Sequence, residues 1–210
     1  MDESSARMKK EVFIHPTAIV EEGVRIGSGS SIWDHVHIRK NVFIGRKCIV
    51  GEKTYIAYDV KIGDLVKINA YVYICAGVTI KDRVMIAAGT VFTNDLFPRA
   101  TRPAEDALMT SEPTEETLET TIEEGATIGA NSTIGCGIVL GEYCMIGMGT
   151  VVTRDVPPYA LAYGSPAKIK GSVCKCGHIL KNQKELMICS HCDLRYRVIS
   201  TERGKKIIPL

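Results

Sequence analysis

Aromatic residues make up only 6% of the chain, with a single tryptophan, and no apolar run extends beyond a few residues before glycine or charge interrupts it. A helical membrane span needs about 20 consecutive apolar residues, so none is expected. The opening MDESSARMKK has no apolar stretch behind its charges, which argues against a signal peptide. Charge of one sign is not in excess either. The formal net charge is +2, with lysine and arginine spread along the chain, whereas a nucleic-acid partner is met by a clustered basic face. Histidine is scarce, with five in the chain and none between residues 93 and 121. What remains is ordinary for a folded protein: 210 residues and 45% hydrophobic content, enough for one sizeable domain and a small appendage.

Neither the three-and-four spacing of a helix nor the alternation of a flat strand runs through the chain. A spacing of six does. From Ile14 through Val20, Ile26 and Ile32 to Ile80, Ile86 and Phe92, each sixth residue is aliphatic or aromatic, and the same step resumes from Ile122 to Val152. Glycine often follows the marker directly, as at Gly27, Gly45, Gly51, Gly63, Gly129, Gly135, Gly141 and Gly147, and is read as serving a sharp turn of unusual dihedrals. Two residues before the marker stand β-branched residues such as Val60, Val66, Val72, Val78 and Val84, which suit a second inward position on a short strand. The pattern predicts an all-β parallel β-helix in which each hexad is one strand with its corner, and neighbouring coils bury what one coil cannot. Cys48, Cys75, Cys136 and Cys144 lie singly inside this repeat. Read as small apolar residues, they favour a reducing cytoplasm over a disulfide framework.

An aliphatic residue, then often glycine, then four variable positions resembles the hexapeptide-repeat acyltransferases, whose left-handed β-helix has triangular coils of three hexads. The resemblance covers residues 12 to about 170, and the hand of the helix comes from it alone. Residues 93 to 121 interrupt the repeat with three prolines and seven acidic residues. The break is read as an excursion from one corner, either a tolerated insertion or an active-site loop. After Val152 the text TRDVPPYALAYGSPAKIKG is similar to the ending of CoA-dependent members. There the matching segments border CoA, which implies cofactor contacts at Gly147, Gly149, Val152, Gly164, Pro166, Lys168 and Lys170. Glycines would allow close approach of a long cofactor, and the lysines would meet phosphate charge.

GTVFTNDLFPRA at residues 89 to 100, with SIWDHVHI near the start, resembles acetyltransferases acting on nucleotide-linked 3-amino sugars. That resemblance implies acetyl-CoA as co-substrate, a homotrimer with sites at subunit interfaces and a place in surface polysaccharide (lipopolysaccharide-type) synthesis. It also places Asn94 at the sugar amine. Asp95 would receive the released proton or turn the loop, and Arg99 lies in the same motif. An amine acceptor suits a loop without histidine, because a neutral amine is already nucleophilic and needs chiefly orientation. His37, Tyr55 and Tyr73 are one coil of about 18 residues apart, so His37, Arg39, Tyr55 and Tyr73 form a candidate substrate face. A hydroxyl acceptor and a non-catalytic hexapeptide scaffold remain as alternatives.

The last forty residues change character. Cys174, Cys176, Cys189 and Cys192 form two close pairs, which predicts a structural four-thiolate zinc site, with His178 or His191 as substitutes for one of the first pair. The expected organisation is a β-helix over residues 12–170, with its loop at 93–121, and a zinc-ribbon-like tail over 171–210.

Overall fold

A computed structural model describes residues 11–101, 107–110, 112–181, 186–201 and 204–210. The expected absence of a leader at the start, and parts of the 93–121 excursion, fall outside these residues. Strands of mostly two residues recur every six, and each closes on the strand one coil later in parallel register, as in Ile44↔Ile62 and Ile32↔Val50. Stacking gathers them into sheets of ten, seven and six strands, the three walls of a solenoid. Marker residues point inward: Ile38, Ile44, Ile56 and Ile74 are fully buried, as are the residues two before them, Val36, Val42 and Val72. The excursion does not disturb the register, since Val78–Ile80 pairs directly with Thr120–Ile122 across it. No helix long and apolar enough to cross a membrane occurs among the described residues.

The glycines after the markers do a different job from the one expected. Positive φ falls three residues after the marker, at His35 (53°), Asn41 (61°), Lys47 (56°), Leu65 (60°) and Tyr71 (58°) among others, and at Gly23, Gly29 and Gly89. Gly27, Gly45 and Gly51 are not among the positive-φ positions. They are needed because the next coil passes too close for a side chain: a Cβ on Gly51 would lie 2.6 Å from the carbonyl carbon of Asn69 and 2.7 Å from the nitrogen of Ala70. Both obstacles are backbone and cannot rotate aside. Gly51→Ala is therefore expected to destabilise the fold by about 1–3 kcal/mol, as overpacking does, and a thermal melt checks it.

At the far end, Ala160–Tyr163 joins the ten-stranded sheet in parallel on Met145–Ile146, and Lys168–Val173 then folds back antiparallel on it. This last strand crosses the 170/171 boundary expected between the two parts. Beyond it, Leu186–Ile188, Arg195–Thr201 and Gly204–Pro209 form a small antiparallel sheet. Tyr159 of the solenoid packs with Cys174, Leu180, Met187, Cys189 and Tyr196 in one buried cluster. A chain ending at residue 170 is expected to keep its β-rich circular dichroism but melt earlier, because uncovering one large side chain costs about 1.5–3 kcal/mol. Loss of the β signal would mean that the solenoid does not fold without the tail.

Candidate functional site

The seven-stranded wall carries an outward ladder in which His37, Tyr55 and Tyr73 stand in register. The Tyr55 and Tyr73 rings stack with centroids 4.9 Å apart, and His37 meets Tyr55 edge-on at 5.5 Å. Where the chain leaves this wall after Phe92, Asn94 and Asp95 close a pocket of about 420 Å³ with Tyr55, Tyr58, Tyr73, Cys75 and the loop residues Leu108, Met109, Glu112 and Glu116. The candidate loop residues and the tyrosine ladder, 18 and more positions apart in sequence, thus share one cavity. Its described lining contains no histidine.

Asp95 and Asn94 differ in what they already hold. Asp95 Oδ1 accepts the backbone N–H of Phe97 at 2.8 Å, an Asx-turn that starts the excursion. The Asn94 amide makes no hydrogen bond among the described residues and is half-buried, so both its carbonyl and its NH2 are available to a ligand. Cys75 also lines the pocket. Its thiol donates to the Phe92 carbonyl oxygen at 2.9 Å, and burial, with Cys136 nearby, pushes it up to about 11. It therefore stays a neutral wall residue rather than a nucleophile.

Arg39, expected on the substrate face, has its guanidinium already engaged inside the protein. Nε lies 2.7 Å from Glu21 Oε1, Nη1 donates to the Tyr55 hydroxyl at 3.0 Å, and Nη2 donates to the Tyr58 hydroxyl. The group also lies over the Tyr58 ring, 4.2 Å from its centroid. Glu21 further binds His37 Nε2 at 2.9 Å and accepts the Lys40 backbone N–H at 3.1 Å. Its carboxyl is held below its ordinary value, first by the His37 hydrogen bond and then by Arg39, against desolvation. Arg99 stays outside the pocket, with Nη1 donating to the neighbouring Pro98 carbonyl at 2.9 Å. Glu21 and Tyr58 were not singled out from the sequence. Glu21 lies one coil below Arg39, so the coil period carried the signal.

The residues proposed for the cofactor lie on the last coils. Gly149 (φ 65°) and Gly164 (φ 109°) hold backbone conformations that favour glycine. A Cβ on Gly147 would sit 2.7 Å from Tyr163 Cβ, so this glycine serves coil packing rather than approach by a ligand. Val152 is in the core, 1% exposed, and its carbonyl accepts the Gly135 N–H at 2.8 Å. Its part is to pack the wall beneath a ligand, not to touch one. Lys168 and Lys170 are exposed, with Lys170 Nζ 5.7 Å above the Tyr163 ring. Pro166 accompanies them in the turn that leads into Lys168–Val173.

In the tail the four expected thiols converge, all Sγ atoms lying within 4.8 Å of one another. Cys174 and Cys192 are 3.4 Å apart and Cys176 and Cys189 3.6 Å. A tetrahedral zinc with Zn–S bonds of about 2.3 Å would set each pair near 3.8 Å, so the donor set fits such an ion. The Tyr196 hydroxyl accepts the Lys175 N–H at 2.9 Å and stands 3.0 Å from Cys174 Sγ, where it can donate to a thiolate. His178 Nδ1 is 3.5 Å from Cys176 Sγ, and the His178 and His191 rings stack beside the four thiols with centroids 3.8 Å apart.

Comparison with known proteins follows this geometry. Residues 59–94 match the model for the bacterial transferase hexapeptide (six repeats), and residues 119–154 match that for the hexapeptide repeat of succinyl-transferase. A dTDP-3-amino-3,6-dideoxy-alpha-D-galactopyranose 3-N-acetyltransferase of Aneurinibacillus thermoaerophilus is 54% identical over 37% of this chain and 40% of its own length. The bifunctional protein GlmU of Thermotoga petrophila is 46% identical over 31% of this chain and 14% of its own length. The chain thus spans well under half of these curated relatives. Among solved structures, AntD, an N-acyltransferase from Bacillus cereus in complex with dTDP and 3-hydroxybutyryl-CoA, superposes with a TM-score of 0.52 at 17% identity, covering 82% of this chain and 88% of that one. At that identity the likeness is one of fold. The two matched stretches build successive coils of the solenoid, and over them the chain is similar to the hexapeptide-repeat transferases.

Proposed function

We propose that the chain is a CoA-dependent N-acetyltransferase that moves acetyl from acetyl-CoA to the amino group of a nucleotide-linked amino sugar. The observation that carries the reading is the pocket, in which Asn94, whose amide makes no hydrogen bond among the described residues, shares a lining with Tyr55, Tyr58 and Tyr73 and no described imidazole. The relative from Aneurinibacillus thermoaerophilus, a dTDP-3-amino-sugar N-acetyltransferase, supports the acceptor class. The Asn94 carbonyl accepts one N–H of the neutral amine and aims the nitrogen lone pair at the thioester carbonyl. A C–N bond forms, the C–S bond breaks, CoA leaves as thiolate, and the amine's surplus proton passes to water or to the free oxygen of Asp95. Gly149, Gly164, Pro166, Lys168 and Lys170 are proposed to hold CoA along the last coils. The same reading includes a homotrimer in the cytoplasm, supplying sugars for a surface polysaccharide, and a structural zinc on the four tail cysteines.

The test is CoA release from acetyl-CoA with matched nucleotide sugars bearing an amine or a hydroxyl at the same carbon. Release with the amine alone supports the reading. Release with the hydroxyl alone makes the chain an O-acetyltransferase, and failure to bind acetyl-CoA leaves a scaffold.

A further inference from the structure

Two features remain unexplained by amine transfer: a lining that mixes carboxylates with phenols, and the Glu21–Arg39 ion pair joined to those phenols. Asp95, Glu112 and Glu116 put carboxylates on the loop side, where an anion would be repelled and an amine favoured. The coils contribute Tyr55 and Tyr58 to the same lining, and their phenol oxygens each already accept a hydrogen bond from Arg39. A phenol has one proton to give. Once its oxygen has accepted from a guanidinium, that proton is the group left to offer, and the adjacent positive charge makes it a stronger donor. Glu21 makes this arrangement singular. Its carboxylate lies 2.7 Å from Arg39 Nε, an ion pair without hydrogen-bond geometry, and balances the guanidinium charge while Nη1 and Nη2 reach the two phenols.

We propose that Glu21 is a positioning residue: through Arg39 it sets Tyr55 and Tyr58 as a pair of O–H donors for the diphosphate of a nucleotide-linked substrate. The proposal rests on the acceptor class given above and adds a direction, with the amine toward Asn94 and the loop carboxylates and the diphosphate toward the tyrosines. Tyr55 lies two strands below Val91 in the same wall, about 10 Å along the axis at the usual strand spacing. That leaves room for a sugar ring between the amine and the phosphates. Arg39 is not itself the anion's partner, since it is not among the residues that line the pocket.

Calorimetry on the full chain tests this with dTDP and UDP as probes and thymidine as the phosphate-free control. Tyr55→Phe and Tyr58→Phe should each weaken nucleoside diphosphate binding by about 10-fold, as loss of one hydrogen bond to a charged group does, and leave thymidine binding unchanged. Glu21→Gln should weaken it comparably, but have little further effect in the Tyr55→Phe/Tyr58→Phe background, a coupling that a merely structural role would not produce. Tighter diphosphate binding by Glu21→Gln, equal losses for thymidine, additive effects, or no diphosphate binding by the unaltered chain would each overturn the proposal. The outcomes separate the two readings. Diphosphate binding with this coupling but no acetyl transfer sinks the enzyme and keeps the donor pair, and amine acetylation with unaffected variants does the reverse.

Discussion

Asn94→Ala is expected to lower turnover by about 10- to 100-fold while the acetyl-CoA Kd stays as it was. The proposed contact orients the amine at the reacting centre and does not touch the cofactor, and one such hydrogen bond is worth roughly 1–3 kcal/mol. Asp95→Asn should do less, because its Oδ1 already accepts the Phe97 N–H and asparagine can make the same turn. The pH profile provides the second half of the test. No described imidazole lines the pocket, and the Cys75 thiol is pushed up to about 11. The rate should then rise with deprotonation of the substrate's own amine and level off. Steady-state kinetics on both variants across pH decides the matter. An Asn94→Ala enzyme with unaltered kcat removes Asn94 from the mechanism, and a profile that follows an enzyme group whichever amine is supplied restores a general base.

The other large effect concerns the tail. Protein purified without chelators should carry one zinc per chain by elemental analysis, and Cys189→Ser should lose it. Cys189 is fully buried beside Met187 and Tyr196. Its thiol is held below its ordinary value, first by the backbone N–H of His191, which favours the thiolate that a metal takes. Structural zinc contributes apparent free energies of about 10–16 kcal/mol in small modules, far more than the few buried apolar side chains of this cluster supply. Stripping the ion should therefore release amide protons around Cys174 to Cys192 to rapid exchange while those of the coils stay protected. Protein without metal, or a tail that keeps its protection in chelator, would show that side-chain packing alone holds the thiols together.

Much of the fold was legible because one period governs it. A marker every sixth residue marks the strands, and a coil of three hexads puts His37, Tyr55 and Tyr73 on one wall. What escaped was set by neighbouring coils rather than by local preference. The left-handed positions hold His35, Lys47, Leu65 and Tyr71, residues with no shared leaning toward that conformation. The coil below holds the chain there: the Lys47 N–H reaches the Ser28 carbonyl and the Tyr71 N–H the Glu52 carbonyl. The glycines after the markers were misread for the same reason, since their constraint is a passing backbone and not their own dihedral angles. In the site, Asn94 and the tyrosine ladder could be placed from motif and period. Arg39 could not, because whether a guanidinium is free or engaged depends on Glu21 and Tyr58, each on another coil.

The two ends of the solenoid are built unequally. At the far end the last coil is covered by Lys168–Val173 and the tail. At the near end the inward residues Ile14 and Val20 remain 43% and 37% exposed, with no coil beneath them among the described residues. In a stack where each layer is stabilised mainly by its neighbours, such asymmetry gives the molecule a direction. Thermal opening should fray from the layer of Ile14 toward the ladder, like a zipper with one free end. The pocket's lining sits several layers inward, but Glu21 belongs to this first layer, so its opening should release Arg39 before it reaches the lining.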